Sequence, residues 1–242
     1  MINRFFNDGR RAKIKSRLHY LLMRHPTLEK RCVIEAQRQK LNTIIDVGAN
    51  KGQFAGRVRA LGWRGEIISF EPLIKPFKLL EIHAAKDPKH LVYQYGLGDE
   101  NIDTEINVAS NHGASSSILE IDPTVSEAFS ITTVSRESVK IRRIIDINSE
   151  LSLNLEKSLL KIDTQGFEQQ VLKGAGKILE KIPMLLLEVS MRKVYMNEPL
   201  VLELLNFLDS KGFELRDIEP SVFATPSQPF QCDIMCLRKR DD

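Results

Sequence analysis

The 242-residue sequence predicts an α/β fold in which helices cover both faces of a mostly parallel β-sheet. Three observations predict this class. Short apolar runs with the length of buried strands are followed by acidic residues, at Asp46, Glu71 and Asp163. Segments with apolar residues at helical spacing lie between these runs. The first run enters a glycine-containing turn that leads into a helix, as in sheets that bind ligands at the carboxyl ends of their strands.

The first strand, its turn and the next helix are predicted within Thr43–Leu61. Apolar β-forming residues lead into Asp46, and Gly48 and Gly52 leave the backbone of the following turn almost free of side-chain bulk. Helical spacing then continues to the end of the segment. Because unpaired backbone N–H groups at a helix start can face a ligand, this turn predicts a small-molecule site.

The second strand, Glu66–Phe70, runs into Glu71-Pro72 and narrows the choice of ligand. An acidic residue 19 positions after Gly52 suits a carboxylate that accepts hydrogen bonds from both hydroxyls of a ribose. The turn reads DVGANKG rather than GxGxxG, which fits a pyrophosphate poorly. S-adenosylmethionine has a ribose and no phosphate and is therefore the predicted ligand, with a nicotinamide cofactor as the alternative.

Positive charge is concentrated at the N-terminus, although the whole chain has a net charge of +3 and a pI near 8.7. Residues 1–40 contain eleven basic and three acidic side chains, a net +8, which leaves about −5 for the remainder. Helices are predicted at residues 9–24 and 27–40. We therefore expect a basic helical extension over residues 1–40 and a domain over residues 41–242. The extension could contact an anionic membrane surface or a protein partner, cover the substrate, or pack its leucines on the domain.

The next predicted elements follow Glu71-Pro72. Pro76 is expected to open a helix, and Leu91–Tyr95 is expected to form a third strand. The turn at residues 96–99 follows this strand. Its Asp99 could accept a hydrogen bond from an exocyclic amine or close an ordinary Asx turn.

A long segment between the third and fourth strands predicts an insertion at residues 101–157. Partial alternation in Ile102–Ala109 is typical of an added or edge strand, and short strands are predicted at residues 131–134 and 139–141. The loop at residues 110–117 is small and polar. Since the insertion is longer than one crossover helix requires, we interpret it as shaping a substrate site.

The second half of the chain repeats the pattern of apolar strands followed by acidic residues. The strand that leads into Asp163 is followed by a turn and a helix, and a second apolar run ends at Glu188. A helix with an apolar face and a closing antiparallel pair are predicted after it. The predicted elements are Leu159–Asp163, Met184–Leu187, Pro199–Lys211, Phe213–Glu219 and Gln231–Leu237.

Composition excludes several classes of protein. Three cysteines, Cys32, Cys232 and Cys236, are too few for a disulfide framework and favour a reducing compartment, so a cytoplasmic location is expected. We interpret Cys232 and Cys236 as small buried hydrophobes. The sequence shows no membrane-spanning run and no signal peptide. No set of residues has the spacing of a metal site, so none is predicted.

Seven motifs in order give the chain a resemblance to the FkbM family of S-adenosylmethionine-dependent methyltransferases. The similarity runs from about residue 42 to residue 238, and the order and spacing of the motifs are more specific than any one of them. The motifs are IIDVGANKGQF (44–54), SFEP (69–72), YGLGDEN (95–101), SSSIL (115–119), LLKIDTQGFEQQVLKGA (159–175), LLLEVS (185–190) and CDIMCLRK (232–239). The resemblance implies a Rossmann-like class I methyltransferase fold. Its sheet has seven strands, which are numbered in chain order and arranged 3-2-1-4-5-7-6. Strand 7 is antiparallel to the others.

The resemblance also implies roles for individual residues. The turn after the first strand would surround the methionine part of the cofactor, Glu71 would hold the ribose, and Gly98 and Asp99 would lie near the adenine. Many members of the family have an acidic residue at the position of Gln165, which is a departure in this chain. The implied cofactor-binding set is Asp46, Gly48, Ala49, Asn50, Gly52, Phe54, Glu71, Pro72, Gly98, Asp99 and Asp163.

Three residues are candidates for the general base that a hydroxyl acceptor requires. Asp163 and Glu188 end adjacent central strands and should face one cleft, and His112 lies in the polar loop with a pKa near neutrality. For His112 the alternative is an ordinary solvated loop histidine. The resemblance implies O-methylation of a hydroxyl, typically on a sugar of a polysaccharide, glycolipid or glycosylated natural product.

Other acceptors and functions are less well supported by the sequence. The turn after Asp163 lacks the Asn/Asp-Pro-Pro-aromatic motif of base-amine methyltransferases, and no cysteine lies near it as a cytosine-carbon enzyme requires. The acidic body shows no basic RNA-binding face, so no nucleic acid partner is predicted. The remaining alternatives are an NAD(P)-dependent oxidoreductase and a non-catalytic module that docks on a membrane or on a glycosyltransferase.

Overall fold

The computed structural model describes residues 26–111, 113, 115–225 and 228–239, and it contains a large sheet, a small sheet and seven α-helices within those ranges. The strands are β1 (Thr43–Val47), β2 (Glu66–Phe70), β3 (His90–Tyr93), β4 (Gly96–Leu97), β5 (Ile102–Ala109), β6 (Thr133–Arg142), β7 (Ser158–Ile162), β8 (Met184–Ser190), β9 (Phe213–Thr225) and β10 (Gln228–Arg238). The helices are α1 (Leu28–Arg38), α2 (Gln53–Ala60), α3 (Ile74–Ala84), α4 (Pro123–Phe129), α5 (Ile144–Leu151), α6 (Glu168–Ala175) and α7 (Val201–Ser210). Short 3₁₀ helices cover Leu155–Lys157 and Gly176–Lys181.

The large sheet has the strand order β3-β2-β1-β7-β8-β10-β9. When the seven strands of this sheet are numbered 1 to 7 in chain order, β7, β8, β9 and β10 become strands 4 to 7, and the arrangement is the predicted 3-2-1-4-5-7-6. β10 is antiparallel to both of its neighbours, and the strands from β3 to β8 are parallel. The predicted sheet is therefore confirmed, and the carboxyl ends of β1, β2, β7 and β8 lie along one edge.

The insertion forms a separate small sheet with the order β4-β6-β5. The expectation of two short strands at residues 131–134 and 139–141 is wrong, because β6 is one continuous strand. It stays continuous because it pairs with β5 from Ile102–Ile141 to Ala109–Thr133. Ile102–Ala109 is a strand, as expected, but β6 and not the large sheet is its partner.

Several element boundaries differ from the prediction for local reasons. α3 begins at Ile74, two residues before the expected Pro76. α7 begins at Val201, two residues after Pro199, and the Glu203 side chain accepts a hydrogen bond from the Leu200 N–H at 2.8 Å. β8 extends to Ser190 because its pairing with β10 continues past Glu188, which therefore lies inside the strand and opposite Asp233.

Two hydrophobic layers enclose the sheet, one on each face. On one face the sheet packs against α5, α6 and α7, through residues such as Ile147, Leu172 and Leu204. On the other face it packs against α1 and α2, through residues such as Val33 and Phe54. Burial of this apolar area is the main stabilising contribution to the fold. Because α1 belongs to this second layer, residues 28–38 pack on the domain, while the division of the chain at residue 40 stays a prediction.

All three cysteines are buried and free, which confirms the interpretation of Cys232 and Cys236 as small buried hydrophobes. None of the helices in the described ranges combines the length and apolar character that a bilayer crossing requires.

Candidate functional site

The turn between β1 and α2 is held close to the end of β7. Gly48 has a φ of 75°, and a Cβ at this position would lie 1.9 Å from the backbone oxygen of Asp163. Only glycine allows this approach without displacing backbone. The N–H groups of Gly48 and Ala49 donate to the Phe70 oxygen at 3.0 and 3.1 Å. The turn is thus fixed against the ends of β2 and β7. Gly52 is the N-cap of α2 and has a left-handed conformation, with a φ of 84°.

Beneath this turn, Asp46 and Lys161 form a buried ion pair at 3.0 Å. Asp46 has no exposed area, and Ser69 also donates to it, at 3.3 Å. The Lys161 ammonium donates to the Gly48 oxygen at 3.2 Å and lies 3.6 Å from Asp163. Burial alone would lower the pKa of Lys161, but the carboxylates of Asp46 and Asp163 raise it above its usual value. Asp46 therefore supports the turn from below and lines neither of the cavities at this edge.

Glu71 is almost fully buried at the end of β2, where its carboxylate accepts two backbone hydrogen bonds. The Asn50 N–H donates to one oxygen at 2.8 Å, and the Leu73 N–H donates to the other at 2.9 Å. Burial raises the pKa of Glu71 to about 7, although these two hydrogen bonds act in the opposite direction. Each carboxylate oxygen retains a further lone pair, so the group can still accept from a ligand.

Two cavities meet around Gly48, Asn50 and Asp163, which line both. The larger, of about 250 Å³, lies on the α1–α2 side and is also lined by Ala49, Phe54, Lys161 and Glu188. The smaller, of about 90 Å³, is also lined by Glu71, Pro72 and the apolar side chains of Leu97, Ile118 and Phe167. The structure thus brings together most of the residues predicted to bind the cofactor.

Gln165 connects the two carboxylates that were predicted as candidate bases. Its amide nitrogen donates to Asp163 at 2.8 Å and to Glu188 at 2.7 Å. Its amide oxygen accepts a hydrogen bond from the Tyr195 hydroxyl at 2.7 Å. Gln165 has a φ of 56°, a left-handed conformation that is uncommon for a non-glycine residue and that clusters at functional sites. Asp163 and Glu188 therefore face one cleft, as predicted. The hydrogen bonds by which Gln165 bridges them were not predicted.

Two carboxyl groups near this bridge, those of Glu188 and Asp233, have raised pKa values. Burial, followed by the charges of Asp163, Asp233 and Glu168, raises the pKa of Glu188 well above its usual range. Asp233 lies directly across from Glu188 on β10, and burial followed by the charge of Asp163 raises its pKa to about 7. Such perturbed acids in a cleft are typical of functional sites.

Other residues of the predicted set lie apart from the cavities. Asp99 is exposed, and Gly98 packs against Ile141 and Phe167 instead of opening into the smaller cavity. Gly96 and Leu97, which were predicted in the same turn but form strand β4, line that cavity. Gly52 lies at the start of α2, outside both cavities. His112 lies outside the described residues. The cofactor-binding and catalytic roles of all the predicted site residues stay predictions.

Three contributors to the site were missed from the sequence. Lys161 could have been suspected, because a lysine inside the apolar run LLKI is costly to bury without a partner carboxylate. Asp233 lies in a predicted strand, but its position opposite Glu188 depends on the register between β10 and β8, which the strand order does not fix. Tyr195 lies in an irregular segment, and Glu198 fixes it there by accepting hydrogen bonds from the Val194 and Tyr195 N–H groups. No local sequence pattern indicates that contact.

The comparisons with known proteins agree with this architecture. The family described as Methyltransferase FkbM domain matches residues 46–215. The solved FkbM methyltransferase from Methylobacillus flagellatus is similar in fold, with a TM-score of 0.50 and 19% identity. That alignment covers 81% of this chain and 44% of the other, so the chain spans less than half of that protein's length. With the sheet order above, this likeness confirms the predicted Rossmann-like class I methyltransferase fold.

Two other solved structures are also similar, and both contain S-adenosylmethionine. One is magnesium protoporphyrin IX methyltransferase from Synechocystis, with a TM-score of 0.48, 7% identity, and coverage of 87% of this chain and 76% of that one. The other is fibrillarin from Aeropyrum pernix, with a TM-score of 0.48, 13% identity, and coverage of 82% and 67%. No curated protein matches the sequence.

Proposed function

The chain belongs to the FkbM methyltransferase domain family, and on that premise we propose that it transfers a methyl group from S-adenosylmethionine to a hydroxyl group of its acceptor. The acceptor class that we propose is a sugar hydroxyl in a polysaccharide, a glycolipid or another glycosylated molecule. The observation that carries the proposal is the convergence of the glycine turn, Glu71 and the Asp163–Gln165–Glu188 bridge on two adjoining cavities.

The residues of the cavities fit the proposed cofactor. The side-chain oxygen of Asn50 is buried without a hydrogen-bond partner and lies in the turn that lines both cavities. A buried acceptor without a partner is costly, so a ligand donor such as the methionine ammonium would stabilise it. Glu71 would hold the ribose hydroxyls, and the apolar side chains of the smaller cavity would contact the adenine. When bound, S-adenosylmethionine supplies a methyl group that is already activated by a positively charged sulfur.

The residues of the chain would align the acceptor, exclude water and accept the hydroxyl proton. Methyl transfer requires that the acceptor oxygen be aligned with the methyl group and that water be excluded. Glu188 accepts the hydroxyl proton in this proposal, because its raised pKa makes it a stronger base than an ordinary carboxylate. Gln165 donates to Glu188 and to Asp163 and so fixes both carboxylates toward the cleft. An acidic side chain at position 165 would instead add a third negative charge.

Cofactor binding tests the proposal through Glu71. We expect calorimetry to show that wild-type protein binds S-adenosylmethionine and not NAD. Glu71→Ala should weaken this binding by about 1 to 3 kcal/mol, since charged hydrogen bonds to the ribose are lost. The matched control is Glu66→Ala, because Glu66 is exposed at the opposite end of the same strand. Preferential binding of NAD would contradict the proposed function, and unchanged affinity in Glu71→Ala would contradict the ribose assignment.

A further inference from the structure

A third cavity, of about 320 Å³, lies between α4, the residues that precede β6, and the ends of β8 and β10. One wall is apolar and contains Val125, Phe129, Ile131, Val194 and Phe230. The rings of Phe129 and Phe230 meet edge to face, with centroids 5.4 Å apart and an interplanar angle of 81°. Aromatic pairs of this geometry give a well-defined contact surface for an apolar group.

The opposite end of this cavity is polar and contains Gln165, Glu188 and Gln231. Asn111 and Ser115 also line the cavity, and the Asn111 amide donates to the Ser115 hydroxyl at 2.8 Å. Gln231 donates to Glu188 at 3.2 Å, on the same oxygen that Gln165 contacts. Glu188 also lines the 250 Å³ cavity, and Gln165 also lines the 90 Å³ cavity. The third cavity therefore adjoins both proposed cofactor cavities, and the bridging residues separate it from them.

We infer that this third cavity binds the acceptor, and that the acceptor is a neutral molecule whose reactive hydroxyl is flanked by an apolar group. The inference rests on the proposed function and specifies its substrate class. The hydroxyl would lie at the polar end within reach of Glu188, and the apolar flank would lie against Phe129 and Phe230. A deoxygenated sugar carbon, an alkyl or aryl substituent, or the C–H face of a ring would serve as that flank.

Two physical arguments select this class of acceptor. A fully hydroxylated flank would place hydroxyl groups against Val125, Val194 and the two phenylalanines, where they would lose hydrogen bonds to water without replacement. Among the described residues of the lining, Glu188 carries the only charge. An anionic group at the polar end would therefore lie beside a carboxylate, while Arg192, which stacks on the Phe230 ring at 5.8 Å, is not among the lining residues.

The test measures binding of matched neutral probes to the wild-type chain in the presence of S-adenosylhomocysteine, by saturation-transfer NMR titration. The probes are phenyl β-D-glucopyranoside against D-glucose, and cyclohexanol against myo-inositol. We expect each probe with an apolar flank to bind at least about tenfold more tightly than its hydroxylated counterpart, because only the former fills the apolar wall. Equal binding within both pairs, or no binding by any probe, would overturn the inference.

Substitutions locate the binding in this cavity. Ile131→Trp should fill the cavity and weaken probe binding at least about tenfold, and Phe129→Leu should weaken it by removing part of the wall. The control is Val134→Trp, since Val134 is 61% exposed and does not belong to the lining. All three variants should keep wild-type affinity for S-adenosylhomocysteine, which also reports that they fold. Probe binding that is insensitive to both cavity variants would overturn the inference.

The two proposals fail in different ways. If wild-type protein binds neither S-adenosylmethionine nor S-adenosylhomocysteine, the proposed function fails, whatever the probes do. If the cofactor binds and the probes show no preference for an apolar flank, only the assignment of the acceptor class fails.

Discussion

At the scale of single residues, the ion pair between Asp46 and Lys161 helps to hold the glycine turn in position. The Lys161 ammonium contacts both the buried Asp46 carboxylate and the Gly48 backbone oxygen, so loss of the ion pair would also remove a hydrogen bond to the turn. The sequence shows that Asp46 and Lys161 each lie in a mostly apolar strand, and the family resemblance implies that the two strands are neighbours, but neither gives their register. Their direct opposition follows only from the register between these strands.

We expect Lys161→Met to lower the free energy of unfolding by about 3 to 5 kcal/mol, because Asp46 would remain buried without its cation. The double variant Asp46→Asn/Lys161→Met should lose less than the sum of the two single variants. Denaturant unfolding of all three variants measures the coupling. Lys157→Met is the control, since Lys157 is exposed just before β7, and additive losses would contradict the ion-pair assignment.

Also at the residue scale, Glu188 gives the proposed reaction a pH dependence. As general base it must be ionised, so kcat should rise with pH through its raised pKa and then level off. Glu188→Gln should remove this rising limb and lower kcat about 10²- to 10⁴-fold. Gln165→Glu should move the limb to higher pH by adding a negative charge beside Glu188. An unchanged pH profile of labelled methyl transfer in both variants would assign the proton to another residue.

At the scale of elements, α1 is docked on the sheet by a cluster of charges. The Arg31 guanidinium lies 2.5 Å from Asp217 and 3.3 Å from Glu219 on β9, and the Leu28 N–H donates to Glu219 at 2.5 Å. Leu28 and Glu29 at the start of the helix also line the 250 Å³ cavity. The docking of α1 therefore closes one side of the proposed cofactor site.

We expect Arg31→Met to lower the free energy of unfolding by about 1 kcal/mol, because Arg31 contacts two carboxylates and all three side chains are partly exposed to solvent. S-adenosylmethionine affinity should also fall, since the start of α1 would no longer be held over the cavity. Arg38→Met provides a control on the same helix, because Arg38 is exposed and its ion-pair partner among the described residues is Glu35, one turn away. The free energy of unfolding of this variant should fall by no more than about 0.5 kcal/mol. Thermal unfolding and calorimetry would measure both effects, and equal behaviour of the two variants would refute the docking role.

The central strands of the large sheet could be predicted because their residues are buried on both faces and are mostly apolar, as in β1 and β8. The insertion could not be predicted equally well. Most of β6 is exposed, so its sequence carries little hydrophobic pattern, and pairing with β5 rather than burial makes it a strand. The third cavity depends on the packing of α4 against residues about 100 positions later, for which a single sequence contains no periodic pattern.

At the scale of the whole molecule, burial of acidic groups at one edge of the sheet makes stability depend on pH. Burial raises the pKa values of Glu71, Glu168 and Asp233 to about 7, so the folded chain retains protons that the unfolded chain releases between about pH 4 and pH 7. The free energy of unfolding should therefore fall as pH rises through this range. His90 acts in the opposite direction, because burial lowers its pKa and the unfolded chain then binds the additional proton.

Asp233→Asn isolates one of these contributions in the ligand-free protein. The variant removes a carboxyl group that is protonated in the folded state and ionised in the unfolded state near pH 5 to 6. Its unfolding free energy should therefore fall less steeply between pH 4.5 and pH 7.5 than that of the wild type, by about 2 to 4 kcal/mol over the whole range. Urea unfolding at several pH values measures the difference, with the exposed Asp103→Asn as control. If wild type and Asp233→Asn gave parallel curves, Asp233 would be ionised in the folded chain at pH 5. The excess of negative charge at the cleft, which suits a positively charged sulfur, would then already be present in the ligand-free protein.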